Sequence, residues 1–265
     1  LMEKFSKKRK KLSGFAANAD MFIKVKKRSK TALHAIIRSI MPSAKLPITR
    51  IMTKSFPGKR MKYFLFLFFI ATSIAFCFGS PYPELMMLHH SATILTAVFL
   101  IYILIRNNLS NLSFLFIVLF ILLHVIGAKW TYLDVPYDQW WKWLTGNTLS
   151  SFFGWERNQY DRLVHFGFGL LIWFPAYEIL HHWFGYKNTH ARYVAWEFIA
   201  MTSVVYELFE WLLTLIAPAS QASNYNGQQG DMWDAQKDMA LAVLGAAIAW
   251  IVFLIIIRIR RKKIN

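Results

Sequence analysis

Four long stretches without charged residues constrain this chain more than any other feature. Residues 63–83, 85–105, 107–128 and 239–257 contain no Asp, Glu, Lys or Arg. A helix needs roughly 20 apolar residues to cross the hydrocarbon core of a bilayer. Each stretch is long enough to do so, and two further apolar segments, near 160–182 and 192–217, are interrupted by charge. The sequence therefore predicts an all-α, polytopic membrane helix bundle with about six transmembrane helices.

The distribution of charge predicts how this bundle is oriented. The net charge is +17, which by itself suggests a nucleic-acid partner. However, residues 1–62 hold 18 Lys/Arg and two acids, residues 258–265 hold five Lys/Arg and no acid, and the residues between hold eight Lys/Arg and twelve acids. Basic flanks on an apolar body indicate cytoplasmic termini. We therefore expect both termini inside, the lipid bilayer as partner and no nucleic acid.

Three regions follow from this pattern: a basic cytoplasmic arm over 1–61, a six-span membrane domain over 62–257 and a basic cytoplasmic tail over 258–265. Three interpretations of the arm stay open. It is an amphipathic segment on anionic lipids, a disordered basic arm, or the product of a start codon assigned too early, since Met61 opens an apolar run. The sequence does not predict an oligomeric state. The single cysteine, Cys77, excludes a disulfide scaffold and a Cys-rich zinc site.

Ionisable side chains at the ends of four spans are the main functional signal, because such residues are rare inside membranes. Under the predicted topology they all fall in the outer half of the bilayer. They are His124 in the third span, Asp161 and His165 in the fourth, Glu207 and Glu210 in the fifth, and Asp231, Asp234 and Asp238 in the sixth. We therefore expect one convergent polar site.

The acids in this site outnumber the nearby cations, which predicts a bound cation. A divalent metal satisfies several carboxylates at once, and carboxylates with imidazole suit Zn, Mn, Mg or Fe. The expected ligands are Asp161, His165, Glu207, Asp231, Asp234 and Asp238. Glu210 and His124 are the candidate catalytic bases. The expected supporting residues are Arg162, Tyr132, Tyr160, Tyr206 and Gln236. The alternative is structural: Arg162 pairs with Asp231, and Asp231 or Asp234 caps the sixth span.

Four motifs carry a resemblance to a known family. HVIGAKWTYLDVPY begins at residue 124, RNQYDRLVHFGFG at 157, YELFEW at 206 and GQQGDMWDAQKDM at 227. Over about residues 62–257 the chain resembles the uncharacterised bacterial inner-membrane family represented by YjdF. The resemblance implies a multi-span fold in the bacterial inner membrane and no established activity. Its polar motifs fall on Tyr132, Asp161, Arg162, His165, Glu207, Glu210, Asp231, Asp234 and Asp238.

Three classes of function remain open at this point. The first is a metal-dependent enzyme that acts on a lipid or envelope substrate. The second is a proton- or cation-coupled transporter, which needs polar residues through the whole membrane. The third is a structural or accessory membrane protein with ion-paired helices. Whether the chain is an enzyme is undecided by its sequence.

The predicted orientation can be tested with reporter fusions. Fusions after Lys187 and Asn265 should report a cytoplasmic location, and fusions near Thr145 and Asn226 an external one, because the cations concentrate on the first side. A cytoplasmic report at Asn226 would contradict the predicted topology.

Overall fold

The chain is helical throughout the part that can be described. A computed structural model describes residues 58–216 and 228–262. These residues form eight helices and no strand, which confirms the predicted all-α class. The helices are α1 Gly58–Phe76, α2 Pro83–Arg106, α3 Asn111–Lys129, α4 Tyr137–Thr145, α5 Leu149–Phe153, α6 Tyr160–His182, α7 Asn188–Ile216 and α8 Asp234–Lys262. Residues 1–57 of the predicted arm and residues 263–265 of the tail lie outside the described residues.

Five of these helices, α2, α3, α6, α7 and α8, are long and apolar enough to cross a membrane. They correspond to five of the six predicted spans. The remaining predicted span, 63–83, differs from the structure, because α1 ends at Phe76 and is followed by a turn with Gly79 at a φ of 68°. Its charge-free part is therefore about 21 Å long at 1.5 Å per residue. The basic residues 258–262 continue α8 rather than forming a separate tail.

Helix α6 lies at the centre of the bundle and packs against α3, α7 and α8. Its contact with α8 is unusually close. A Cβ atom at Gly169 would overlap the backbone of Ala242 and Ala246, and one at Gly245 would overlap the backbone of Phe166. Small residues allow this approach, which is a common way to associate helices in membranes. The close contact fixes the start of α8 beside the start of α6.

Two polar layers lie at opposite ends of α6. We call the end near Asp161 the site end. At the other end, the buried Glu178 carboxylate accepts hydrogen bonds from Ser110 N (2.8 Å), Ser110 Oγ (2.5 Å) and Ser113 Oγ. Ser110 is the N-cap of α3, so the carboxylate also lies at the positive end of that helix. Nearby, Lys62 Nζ donates to Asn107 Oδ1 (2.8 Å) and to Leu109 O (2.5 Å). These contacts connect α1, α3 and α6.

The two short helices, α4 and α5, follow α3 at the site end. Trp140, Trp141, Trp143 and Phe152 are exposed there, Trp143 to 85%. Exposed tryptophans next to apolar spans are typical of the membrane interface. This segment therefore suits a position along the lipid head groups.

The α6–α8 contact should tolerate an extra methyl group poorly. We expect Gly169→Ala to lower the free energy of unfolding by about 1–3 kcal/mol, because overpacking against rigid backbone forces the helices apart. Gly167→Ala is the matched control, since its Cβ would meet only the flexible Leu123 side chain. The measurement is thermal unfolding in detergent, and equal stability of the two variants would contradict the backbone contact.

Candidate metal centre

Polar segments that are distant in the sequence meet at the site end of the bundle. His165 of α6 lies between two carboxylates, with its Nε2 atom 3.7 Å from Asp161 Oδ1 and 3.5 Å from Glu207 Oε1 of α7. Asp238 of α8 completes the group, since donor atoms of Asp161, His165 and Asp238 all lie within 4.8 Å of one another. Three helices therefore bring acids to a single imidazole, as the convergence of motifs predicted.

The inner acids of this cluster differ from ordinary buried carboxylates in their partners. Asp161, Glu207, Glu210 and Asp238 are all buried. Within residues 58–216 and 228–262, none of them forms an ion pair with Lys or Arg. In the same residues, Glu207 Oε1 and Asp238 Oδ1 are buried without a hydrogen-bond partner. A buried polar atom of this kind requires an explanation, such as an ion or a water molecule.

The spacing of the cluster is close to that of a metal site. Two ligands at about 2.0–2.2 Å from one ion are at most about 4.4 Å apart. The donor atoms of Asp161, His165 and Asp238 lie within 4.8 Å of one another. Only a small shift of these side chains would bring the atoms within about 4.4 Å. The separations of 3.5 and 3.7 Å around His165 Nε2 are longer than usual hydrogen bonds, which leaves room between the facing atoms.

Asp231 and Asp234, predicted as metal ligands, have different partners in the structure. Asp234 pairs with Arg157 and lies 3.4 Å from Arg162. Asp231 pairs with Arg162, lies 3.7 Å from Arg157 and 2.6 Å from Lys237 Nζ. The structural alternative therefore describes these two acids better, and the geometry gives no support to their role as ligands.

This ion-pair network also fixes the start of α8. Asp231 Oδ1 accepts a hydrogen bond from Trp233 N at 3.1 Å, immediately before the helix begins. The hydrogen bond from Lys237, together with those from Trp233 and Arg162, lowers the pKa of Asp231 to about 2. Asp231 is therefore ionised at neutral pH and fastens the loop before α8 to α6.

His124, predicted as a base, has both ring nitrogens engaged. Nε2 lies 2.9 Å from the His89 carbonyl oxygen and Nδ1 lies 2.5 Å from the Tyr132 hydroxyl. Because a carbonyl oxygen can only accept, Nε2 carries the hydrogen and neutral Nδ1 accepts from Tyr132. In this arrangement the hydrogen-bonded group from which His124 Nδ1 could take a proton is the Tyr132 hydroxyl, so the base role of His124 stays a prediction.

A local backbone arrangement positions the Tyr132 side chain. Thr131 and Tyr132 both have positive φ, at 53° and 61°, which non-glycine residues adopt at an energetic cost. Tyr132 N donates to Gly127 O at 2.8 Å. A Cβ at Gly127 would overlap the Tyr132 ring, so the glycine provides the space that the ring occupies.

A cavity of about 220 Å³ adjoins the acid cluster around His165. Asp161 and His165 line one part of it, with His124 and Tyr132 beside them. The rest of the wall is largely apolar, apart from hydroxyl groups on α2 and α7. The cluster therefore faces a space that can hold a ligand.

The predicted supporting residues have varied positions. Tyr160 Oη donates to Leu123 O at 2.9 Å and joins α6 to α3. The Tyr206 ring lies 5.7 Å from the His165 ring, and its side chain hydrogen-bonds with Glu210. Arg162 belongs to the ion-pair network, whereas Gln236 is exposed.

Two residues of the site end were not among the predicted site residues. Arg157 precedes α6 and pairs with Asp234, although its position in the RNQYDR motif was a usable signal. Ser203 lines the cavity and is buried. It lies four residues before Glu207 and so shares its helix face, which spacing could have indicated.

Comparisons with known proteins agree with the membrane fold. The family model described as "Predicted membrane protein (DUF2238)" matches residues 61–259. The inner membrane protein YjdF of Escherichia coli (strain K12) is 34% identical over 152 residues, which cover 56% of this chain and 67% of that protein. No solved structure matches the chain.

The ion-pair network predicts how stability changes with acidity. Asp231→Asn should lower the unfolding temperature at pH 7, because it leaves Arg162 and Lys237 without their shared carboxylate. The contribution of Asp231 is fully present above the unfolded pKa of about 3.9 and is lost as the pH falls through the folded pKa of about 2. The difference in unfolding temperature between Asp231→Asn and the parent should therefore become smaller below about pH 4.

Thermal unfolding in detergent between pH 7 and pH 2.5 measures this difference. Glu156→Gln is the control, because Glu156 is an exposed acid in the preceding loop that forms no ion pair among the described residues. A difference between Asp231→Asn and the parent that stays constant down to pH 2.5 would contradict the assigned pKa.

Proposed function

We propose that this chain, which belongs to the DUF2238 family of predicted membrane proteins, is an inner-membrane helix bundle whose buried acid cluster is a divalent-metal centre. Asp161, His165 and Asp238 would hold the ion, with Glu207 as a fourth ligand. The ion would serve a hydrolytic enzyme that acts on a lipid or envelope substrate.

One observation carries this proposal. Asp238 Oδ1 and Glu207 Oε1 are buried without a hydrogen-bond partner among the described residues, and both residues lie beside His165. Burying an ionised carboxylate without compensation is very costly. A divalent ion compensates several carboxylates at once, which ion pairs at this position do not do.

The donor set favours a transition metal. Imidazole suits Zn and Fe, whereas carboxylates suit Mg, Ca and Mn. A centre with one His165 nitrogen and two or three carboxylate oxygens therefore fits Zn, Mn or Fe better than Mg. Ligand type does not distinguish between these three ions.

The chemistry that such an ion supplies is water activation. A bound zinc ion would lower the pKa of a water molecule to about 7 and so supply a nucleophile at neutral pH. The adjoining cavity would place a substrate beside Asp161 and His165. Glu210 is the one inner acid that is not a proposed ligand, and it hydrogen-bonds with the cavity residue Tyr206. It would therefore serve as the base that accepts and returns protons.

The two alternatives account for less of the site. A purely structural role explains Asp231 and Asp234, which are ion-paired, but leaves the inner acids without a function. A coupled transporter needs polar groups along the membrane path. Between His165 and Glu178, α6 carries mainly apolar residues, glycines and Pro175, and its buried Trp173 and Tyr177 belong to the hydrophobic core.

Metal analysis of purified variants tests the proposal. After equilibration with Zn²⁺ or Mn²⁺ in mild detergent, the parent should retain about one ion per chain. Asp238→Asn and His165→Ala should bind the ion at least about tenfold more weakly, because each removes a ligand. Asp231→Asn is the matched control, since it removes an acid of the same end that is ion-paired, and its metal content should equal that of the parent.

The same samples show whether folding is affected. Asp238→Asn should keep or gain thermal stability without metal, because a neutral amide is easier to bury than an unpaired acid. A parent that binds neither ion, or an Asp238→Asn variant with parental metal affinity, would overturn the metal centre.

A further inference from the structure

We propose that the cavity beside the metal cluster is a cleft that admits a membrane lipid sideways, between α2 and α7. An uncharged ester or hydroxyl group of this lipid would lie at Asp161 and His165. This inference rests on the proposed metal centre, because it names the class of substrate that the centre receives.

The packing of the helices leaves this side of the cavity open. Ile121 of α3 and Val164 and Phe168 of α6 line the cavity, and so do Ala92 and Thr96 of α2 and Thr202 and Tyr206 of α7. The residues of α3 and α6, of which Ile121 and Val164 are buried, are called its floor, and the more exposed residues of α2 and α7 its walls. Helix α2 packs against α1 and α3, and α7 packs against α6 and α8. Among the described helices, α2 and α7 make few or no contacts with each other. A gap between them would connect the cavity with the outside of the bundle.

The opening faces lipid rather than water. Ala92 is exposed and Thr202 is half-buried, whereas the floor residues Ile121 and Val164 are buried. Next to the walls, Leu95 of α2 and Val205 of α7 are 71% and 56% exposed. Both lie within helices apolar enough to span a membrane. A ligand that enters between α2 and α7 would therefore come from the hydrocarbon layer.

The polar groups of the cavity indicate what the ligand carries. Ser203 Oγ lines the cavity and is buried without a hydrogen-bond partner among the described residues, and a buried hydroxyl without a partner is costly. Thr96, Thr202 and Tyr206, which also carry hydroxyl groups, line the same cavity. These groups suit the oxygen atoms of an ester or an alcohol.

Charge favours an uncharged group over a phosphate at this position. The inner cluster has four carboxylates, Asp161, Glu207, Glu210 and Asp238, and one divalent ion offsets two negative charges. The site therefore has no surplus positive charge with which to attract an anion.

The size of the cavity fits partial enclosure of the ligand. Pockets that enclose most of a small molecule have volumes of roughly 300–1,000 Å³, whereas this cavity measures about 220 Å³. It can hold the polar group and the first part of an acyl chain. The remainder of the chain would stay in the bilayer, which a lateral opening permits.

Photolabelling in vesicles tests the cleft. The full chain is reconstituted with Mn²⁺ in phosphatidylcholine vesicles that contain a trace of diacylglycerol with a photoactivatable acyl chain. Labelled peptides are then mapped by mass spectrometry. We expect the label to concentrate on the cavity walls around Thr96 and Thr202. The analogous phosphatidic acid should label these positions several-fold less.

Two tryptophan variants make the test specific. Thr202→Trp fills the mouth of the cleft and should reduce the diacylglycerol label several-fold. Val205→Trp adds the same side chain to the exposed face of the same helix and should leave the label unchanged. Metal content, measured on the same samples, should remain at the parental level in both variants.

The outcomes separate the cleft from the metal centre. A label spread evenly over the exposed helix faces, an unchanged label in Thr202→Trp, or stronger labelling by phosphatidic acid would overturn the lipid cleft. The metal centre stands in those cases if the parent still binds its ion. Absence of bound metal in the parent overturns the proposed function, whereas the labelling map still reports on the cleft.

Discussion

The burial of three carboxylates around one imidazole, with a fourth, Glu210, buried on the same face of α7 as Glu207, is the constraint on which the site end of this bundle depends. An acid at the centre of a transmembrane helix costs roughly 2.5–3.5 kcal/mol on insertion scales, and less toward the interface. Asp161 and Asp238 are buried near the starts of helices that can span a membrane. The bundle can accommodate such residues when they are protonated or share a compensating partner. This requirement explains why α6, α7 and α8 meet with their polar positions at the same level.

The acids of the site end divide into two groups with different roles. Asp231 and Asp234 lie at the start of α8, where arginine partners and a backbone amide satisfy them. They join the loop before α8 to α6. The inner acids have no Lys or Arg partner among the described residues. The ion pairs of Asp231 and Asp234 therefore join the helices at this end of the bundle without neutralising the inner acids. The close approach at Gly169 and Gly245 then maintains the distance between α6 and α8 on which the cluster depends.

Hydropathy and spacing predicted the class of fold and the meeting of the polar motifs, because both follow from local patterns. Apolar runs of about 20 residues leave few alternatives to membrane helices, and residues three or four apart share a helix face. The partners of individual acids could not be predicted in this way. Whether Asp234 contacts Arg157 or His165 depends on the rotation of α8 about its axis, which distant contacts such as Gly169 with Ala242 determine. The hydrogen-bond partners of His124 could not be predicted for the same reason, since they lie on α2 and in a turn with two positive φ angles.

The distance between the polar layers at the two ends of α6 indicates the thickness of the bilayer that this protein suits. Asp161 and Glu178 are 17 positions apart on one helix, which corresponds to about 26 Å along its axis. The hydrocarbon core is about 27 Å thick in thin membranes and about 30 Å on average. Both layers would therefore lie near the edges of the hydrocarbon, with the site end only a short distance below the head groups. A thicker bilayer would pull these layers inward, so hydrophobic mismatch, rather than any change in sequence, would control how easily water reaches His165.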